Sequence, residues 1–157
     1  MTEINGLRLA YRGLIAGLAG GYVWLAVAMV MSWPISGPLG PVQLVAAVAP
    51  ERAASAPGGS FLLALVLVEL SAGAVGLAFA YFLGRYFTVR GTLAAAGPCF
   101  ALLAWLSVSE RLGVTSLPLA VQVALAFATL LYGALLGAAI PTRTELLRAP
   151  QHIRTVR

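Results

Sequence analysis

The sequence predicts an all-α membrane protein: a bundle of four transmembrane helices, with both termini cytoplasmic and a short extra helix in the first outer loop. Two observations predict this class. First, 61% of the 157 residues are hydrophobic and only 10% are charged, against about 25% in a typical soluble domain. Second, four apolar runs are long enough to cross the ~30 Å hydrocarbon core of a bilayer. The chain is therefore predicted to form a single membrane domain over residues 1–157.

The four predicted helices cover residues 14–31, 61–83, 92–108 and 119–140. At ~1.5 Å per residue they are roughly 25 to 35 Å long, and only the third is marginal. Helix is the expected conformation because lipid offers no hydrogen-bond partner to open backbone groups. The first run has a sequence that resembles a signal-peptide cleavage motif, Ala26-Val27-Ala28. Its apolar part is too long and too rich in glycine for a signal peptide, so a retained helix is predicted.

The only long connection is the outer loop, residues 32–60. Pro34 is predicted to stop the first helix, because proline lacks the backbone N–H. The mostly apolar stretch 42–48 is too short to span, so it predicts a short helix that lies at the outer surface or is tucked against the bundle. The end of the loop, residues 53–60, has the composition of a flexible linker.

Arginine placement predicts the orientation. The chain has no lysine, and its net charge of +5 comes from arginine. One side of the predicted topology carries Arg8, Arg12, Arg85, Arg90, Arg143, Arg148, Arg154 and Arg157. The other side carries only Arg52 and Arg111, so both termini and the tail 141–157 are predicted to be cytoplasmic, in a bacterial inner membrane.

Six of these arginines are predicted to anchor the chain to lipid headgroups: Arg8, Arg12, Arg85, Arg90, Arg143 and Arg148. Because the arginines stand at the ends of apolar runs, they fit anionic headgroups rather than nucleic acid. The bilayer is therefore an expected partner, and nucleic acid is not.

Residues that carry catalysis or bind metals are scarce. Cys99 is the only cysteine, His152 is the only histidine, and aspartate is absent. These residues allow no disulfide, no metal site and no Ser/His/Asp triad within the chain. The sequence therefore predicts a protein that is not an enzyme and has no metal or cofactor, unless a partner supplies one.

Small residues at four-residue spacing mark three of the helices. They are Gly13, Gly17 and Gly21 in the first, Gly76, Ala80 and Gly84 in the second, and Gly133 and Gly137 in the fourth. Gly73, three residues before Gly76, is assigned to the same packing face. Such residues let two helix backbones approach closely. One interpretation is packing within a single bundle, and the other is a docking face for a further subunit or a second copy. We expect tight packing together with a partner.

A weak internal repeat is also indicated. Aligning Arg12-Gly13 with Arg90-Gly91 places Gly13, Gly17 and Gly21 over Gly91, Ala95 and Cys99, all of them small. Gly73 then aligns with Gly133. This pattern predicts two tandem hairpins in the same orientation. The alternative is that any two helices rich in alanine and glycine align.

Glu69 is a carboxyl group inside the second apolar run, about 13 Å from its outer end. A charge at that depth costs at least ~2.5 kcal/mol, so the neutral acid is expected. Three roles stay open: a proton- or cation-binding group, a hydrogen-bonding pin between helices, or a group paired with another subunit or a cofactor. The polar side chains expected at a similar depth are Ser107, Gln122 and Thr129.

Three stretches carry a resemblance to a known family. They are RGLIAGLAGG at 12–21, GPVQLVAA at 40–47 and LYGALLG at 131–137. Over most of residues 12–140 the chain resembles a widespread, functionally uncharacterised family of small four-helix bacterial integral membrane proteins with a glycine-rich first helix. Members often carry a histidine in helix two and another in helix four. Glu69 and Thr129 stand at those positions here, which argues against a haem or metal site and implies that the two positions are neighbours.

The expected function is a non-catalytic accessory or structural subunit of a larger bacterial membrane complex, with respiratory and photosynthetic complexes as candidates. The expectation rests on the small size of the chain and on its few reactive groups. It also rests on the helix faces lined with small residues and on the arginines at the predicted cytoplasmic ends of the helices. The alternative is a small homo-oligomeric transporter or channel that couples to protons or cations through Glu69.

Overall fold

The computed structural model describes residues 6–37, 39–46, 59–84 and 86–142, and within these residues the chain is helical with no strand. The helices are α1 Gly6–Ser36, α2 Gly40–Ala46, α3 Gly59–Phe79, α4 Arg90–Ser109 and α5 Leu119–Ala139. A π-helical turn, Ala80–Gly84, extends α3, and a 3-10 turn, Val114–Ser116, precedes α5. The four longer helices are all long and apolar enough to cross a membrane. The predicted all-α membrane bundle is thus confirmed.

The helix α1 is longer than the predicted residues 14–31, and the predicted stop at Pro34 is wrong. Pro34 lies inside α1, which ends at Ser36. A proline removes one hydrogen bond to the preceding turn. Near the end of a helix a proline disturbs little of the helix, because only a few residues follow it. The chain leaves the helix at Gly37, which has a φ of 74°, a backbone conformation that glycine adopts readily.

The four long helices run antiparallel to their packing neighbours. Along α1, Gly13 lies against Ala80 and Gly21 against Glu69, so the numbering of α3 falls as that of α1 rises. Gly97 of α4 likewise lies against Gly133 of α5, and Leu93 lies against Gly137. The bundle therefore has a terminal end, near the beginning of α1 and the end of α5, and an α2 end, where α2 lies.

The packing is uneven around the bundle. The helix α1 packs against both α3 and α5, whereas α4 packs mainly against α5. The helices α3 and α4 share few contacts. They meet through Phe79 and Phe100, whose ring centroids are 5.5 Å apart. Because α3 and α4 diverge beyond this pair, a cleft is left between them toward the α2 end.

The short helix α2 is tucked against the bundle, in line with one of the two predicted placements. It begins at Gly40 rather than at Val42, and Pro41, Val42, Val45 and Ala46 are buried. It packs on α3 and on α1. Burying its apolar side removes surface that would otherwise face headgroups and water. The predicted linker lies almost wholly outside the described residues, as does the tail beyond residue 142.

The structure corrects the predicted repeat. In the first hairpin Gly17 packs on Gly73, and in the second Gly97 packs on Gly133. If Gly73 is equivalent to Gly133, then Gly17 is equivalent to Gly97 and not to Ala95, as the predicted alignment has it. The predicted alignment is off by two residues, because glycine-to-alanine matches are too permissive to fix the rotational position of a helix.

Candidate functional site

The first predicted glycine stripe forms the crossing of α1 and α3. A Cβ atom on Gly17 would lie 3.0 Å from the Cα atom of Gly73. One on Gly76 would lie 2.7 Å from the Cα atom of Gly17. Gly13 lies against Gly76 and Ala80 in the same way. Real carbon atoms pack at about 3.5–4.0 Å, so this crossing tolerates no side chain at these positions.

The stripe on α5 forms the crossing with α4. A Cβ atom on Gly133 would lie 2.5 Å from the Cα atom of Pro98, and one on Gly137 would lie 2.9 Å from the Cα atom of Ala94. Gly97 lies directly on Gly133. The predicted glycine faces of α1, α3 and α5 are therefore covered within the chain. A further subunit would have to dock on a different surface.

Glu69 lies at the α1–α3 crossing, on the side of α3 that faces α1. Its Oε1 atom lies 3.0 Å from the position that a Cβ atom on Gly21 would take. Both carboxyl oxygens are buried, and neither has a hydrogen-bond partner among the described residues. Burying a carboxyl without a partner is costly, and far more so when it is charged.

None of the three predicted partners of Glu69 bonds to it. Gln122 donates to the carbonyl oxygen of Leu117 at 2.8 Å, in the turn that precedes its own helix. Ser107 is exposed and donates to the carbonyl oxygen of Ala104 at 2.7 Å. Equal depth was therefore a poor guide, because these side chains bond to nearby backbone carbonyls, as serine and threonine in helices often do. The hydrogen-bonding pin predicted for Glu69 has no acceptor or donor in the described part of the chain.

Thr129 instead belongs to a link between α1 and α5. The Nε1 atom of Trp24 donates to Thr129 Oγ1 at 3.0 Å. Thr129 in turn donates to the carbonyl oxygen of Leu125 at 2.9 Å. Trp24 is one turn along α1 from Gly21, against which Glu69 lies. Positions 69 and 129 thus reach α1 in adjacent turns, without a bond between them.

Tyr132 makes a second link, between α5 and α3. Its hydroxyl donates to the carbonyl oxygen of Ala72 at 2.7 Å. Its ring lies on Gly20, where a Cβ atom would be 2.6 Å from Cδ2. The side chains of Tyr132 and Glu69 therefore pack next to each other, against Gly20 and Gly21 of α1. Sequence reasoning missed Trp24 and Tyr132, although a buried tyrosine or tryptophan in an apolar run needs a partner for its polar atom.

The cleft between α3 and α4 has a volume of about 430 Å³. Trp24 and Trp105 form part of its wall, with ring centroids 5.6 Å apart. Tyr132 and Ala72 lie at its deep side, and Arg111 lies at the α2 end. We call this space the α3–α4 cleft. Its size falls within the ~300–1,000 Å³ typical of ligand sites.

The lipid-facing side of α4 differs from that of α3. The exposed side of α3 carries large aliphatic side chains, among them Leu62, Val66 and Leu70. The exposed side of α4 instead carries Gly91, Ala95 and Cys99 at four-residue spacing in its first half, followed by Leu103 and Leu106 in its second half. In its most apolar stretch α4 also has the smallest buried share of the four spans, 17% against 28–44% for the others. We call Gly91, Ala95 and Cys99 the α4 stripe.

The arginine anchors are described only in part. Arg12 is exposed. Arg90 is exposed too, but its Nη2 atom donates to the carbonyl oxygen of Ala138 at 2.8 Å. This bond satisfies a carbonyl in the last turn of α5, where helix carbonyls lack partners. The side chain of Arg8 lies outside the described part of the structure, and so do Arg85, Arg143 and Arg148.

Comparisons with models of protein families, with curated proteins and with solved structures found no match. The resemblance drawn from the glycine-rich stretches therefore stays a prediction. Within the described residues no three His, Cys, Asp or Glu side chains are grouped so as to hold a metal ion. The site offers packing surfaces, an apolar cleft and one buried carboxyl, and these suit binding.

Proposed function

We propose that this protein is a non-catalytic accessory subunit of a larger bacterial membrane complex, and that a transmembrane helix of the partner docks on the α4 stripe. The observation that carries the proposal is the open side of α4. It combines the least burial of the four spans with exposed small residues at four-residue spacing. Respiratory and photosynthetic complexes are the candidate assemblies, and the bacterial inner membrane with cytoplasmic termini is the proposed setting.

The packing inside the chain supports this choice of surface. Small residues at the same spacing form both the α1–α3 and the α4–α5 crossings. In lipid there is little hydrophobic gain from bringing helices together, so close backbone approach is a main source of affinity. The α4 stripe offers that approach and has room for it, since a Cβ atom on Gly91 would meet nothing within 4 Å.

The test is native mass spectrometry of complexes released from membranes in mild detergent. Ala95→Leu places a bulky side chain on the α4 stripe and is expected to lose the partner. Ala74→Leu is the matched control, because Ala74 is exposed, as Ala95 is, but lies on α3 and outside the α4 stripe. Wild type released as a lone monomer, or equal retention of the partner in both variants, would contradict the proposal.

A proton- or cation-coupled transporter is the second candidate, favoured by the unpartnered carboxyl of Glu69. An ionisable group inside a membrane helix is a functional-site hypothesis by default. In the structure both carboxyl oxygens of Glu69 are buried. Transport therefore requires a second conformation in which water reaches the carboxyl. It predicts pH-dependent flux in liposomes that Glu69→Gln abolishes. Unchanged flux in the Glu69→Gln variant would refute the transporter function.

A further inference from the structure

The α3–α4 cleft lies in one half of the bundle. Its wall on α3 extends from Leu67 to Val75, about 12 Å at helical rise. That length fits within one leaflet, which is about half of the ~30 Å hydrocarbon core. The cleft ends at the α2 end of the bundle, where Arg111 and Leu112 line it.

Three of the polar side chains in the wall are engaged within the chain. Ser71 donates to the carbonyl oxygen of Val68 at 2.9 Å. Trp24 and Tyr132 donate to Thr129 and to the carbonyl oxygen of Ala72. Apart from the indole N–H of Trp105, the deep part of the cleft therefore presents mainly carbon surface. A hydrocarbon chain suits this surface, because it has no polar group that would lose a hydrogen bond to water on entering.

The mouth of the cleft has the opposite character. Arg111 is exposed and lies at the end of the cleft nearest the membrane surface. An arginine guanidinium stays charged and pairs well with phosphate and carboxylate groups. Charge at the mouth and carbon below it match an anionic amphiphile. We propose that the α3–α4 cleft binds one acyl chain of an anionic membrane lipid, with the lipid headgroup on Arg111.

The charged mouth favours a lipid over a partner helix in the same place, because a lipid carries its anionic headgroup at the membrane surface directly above its acyl chains. This lipid site does not rest on the accessory-subunit role, because the isolated full chain suffices for it.

The first test measures lipid retention. The full-length protein is released from nanodiscs of equal phosphatidylglycerol and phosphatidylcholine, and bound lipid is read by native mass spectrometry. Wild type is expected to retain one phosphatidylglycerol in preference to phosphatidylcholine. Arg111→Gln should reduce that preference about fivefold, the factor that corresponds to ~1 kcal/mol for one basic residue at a membrane surface. Arg12→Gln, an exposed arginine of α1 near the terminal end, is the matched control and should keep the preference.

A second variant fills the cleft. Ala104→Phe places a ring in the cleft wall and should abolish retention of both lipids. Ala134→Phe, at an exposed position of α5 outside the cleft lining, should leave retention unchanged. Circular dichroism checks that each variant is folded. Should Ala104→Phe fail to fold, Arg111→Gln alone decides the matter, because an exposed side chain changes little in the packing.

Tryptophan fluorescence gives an independent reading inside the membrane. Trp33→Phe removes an exposed tryptophan outside the cleft and leaves Trp24 and Trp105 in its wall. Phosphatidylglycerol with brominated acyl chains should quench these two more strongly than brominated phosphatidylcholine, and Arg111→Gln should remove the difference. Equal quenching by the two lipids in the Trp33→Phe protein would overturn the proposal. Protection of Trp105 from both lipids by a partner polypeptide in the assembled complex would overturn it as well.

Discussion

Replacing Gly17 with alanine tests the α1–α3 crossing most sharply. The added Cβ atom would lie 3.0 Å from the Cα atom of Gly73 and 3.1 Å from the carbonyl carbon of Ala72. Ordinary carbon contacts are ~3.5–4.0 Å, so the two backbones must separate by about 0.5–1 Å. Overpacking of this kind costs about 1–3 kcal/mol. We expect the free energy of unfolding to fall by that amount, relative to a control that carries the same helix-propensity gain.

Gly73→Ala is that control. A Cβ atom on Gly73 would meet only the side-chain ends of Leu14 and Leu18, at 3.1 and 3.2 Å. Such ends can move by a few tenths of an ångström, whereas backbone cannot. Both glycines lie well inside their helices, so the gain in helix propensity of up to ~1 kcal/mol cancels in the comparison. The assay is reversible unfolding in mixed micelles with increasing sodium dodecyl sulfate, followed by circular dichroism. Equal stability of Gly17→Ala and Gly73→Ala would refute the close crossing.

Three further substitutions test the polar groups of the bundle, in the same unfolding assay. Tyr132→Phe removes the hydroxyl that donates to Ala72 and should cost about 0.5–1.5 kcal/mol; no loss would mean that the bond is absent in the membrane. Thr129→Val leaves the buried Nε1 of Trp24 without its acceptor and should cost about 1–3 kcal/mol, with a change in tryptophan emission as the independent readout. Glu69→Met removes an unpartnered buried carboxyl and should be neutral or stabilising, whereas a loss above ~1 kcal/mol would show a hydrogen-bonding role.

Hydrophobic length was enough to predict the four spanning helices, because only apolar runs of about that length cross the hydrocarbon core. Their antiparallel succession follows, because consecutive spans of one chain must alternate in direction. The ends were harder to predict. The beginning of α1 carries Arg12 within the helix, so hydropathy placed the start too late. Pro34 was read as a stop, although a proline near the end of a helix removes only one hydrogen bond.

Which helices pack together was not predictable from the pattern. The glycines of α1 and α5 were recognised as a packing signal, but spacing alone does not say whether the neighbour is in the same chain. The divergence of α3 and α4, and hence the α3–α4 cleft, depends on contacts distant in sequence.

The surroundings of Glu69 were missed for a related reason. Its neighbour on α1 is the bare backbone of Gly21, whereas depth along a helix can suggest only polar side chains as partners. Trp24 and Tyr132 were the better signals. Each combines a large apolar body with one polar atom that must find a partner when buried, and together they connect α1, α3 and α5.

Photo-crosslinking from the exposed side of α4 tests the central claim, that a partner helix docks there, most directly. A photo-reactive benzoylphenylalanine replaces Leu103, which lies one turn beyond Cys99 and is 68% exposed. The matched control replaces Leu70 on α3, which is 65% exposed. In native membranes we expect one crosslinked polypeptide of constant mass from position 103 and only lipid adducts from position 70. Lipid adducts alone from both positions would contradict the docking of a subunit on α4.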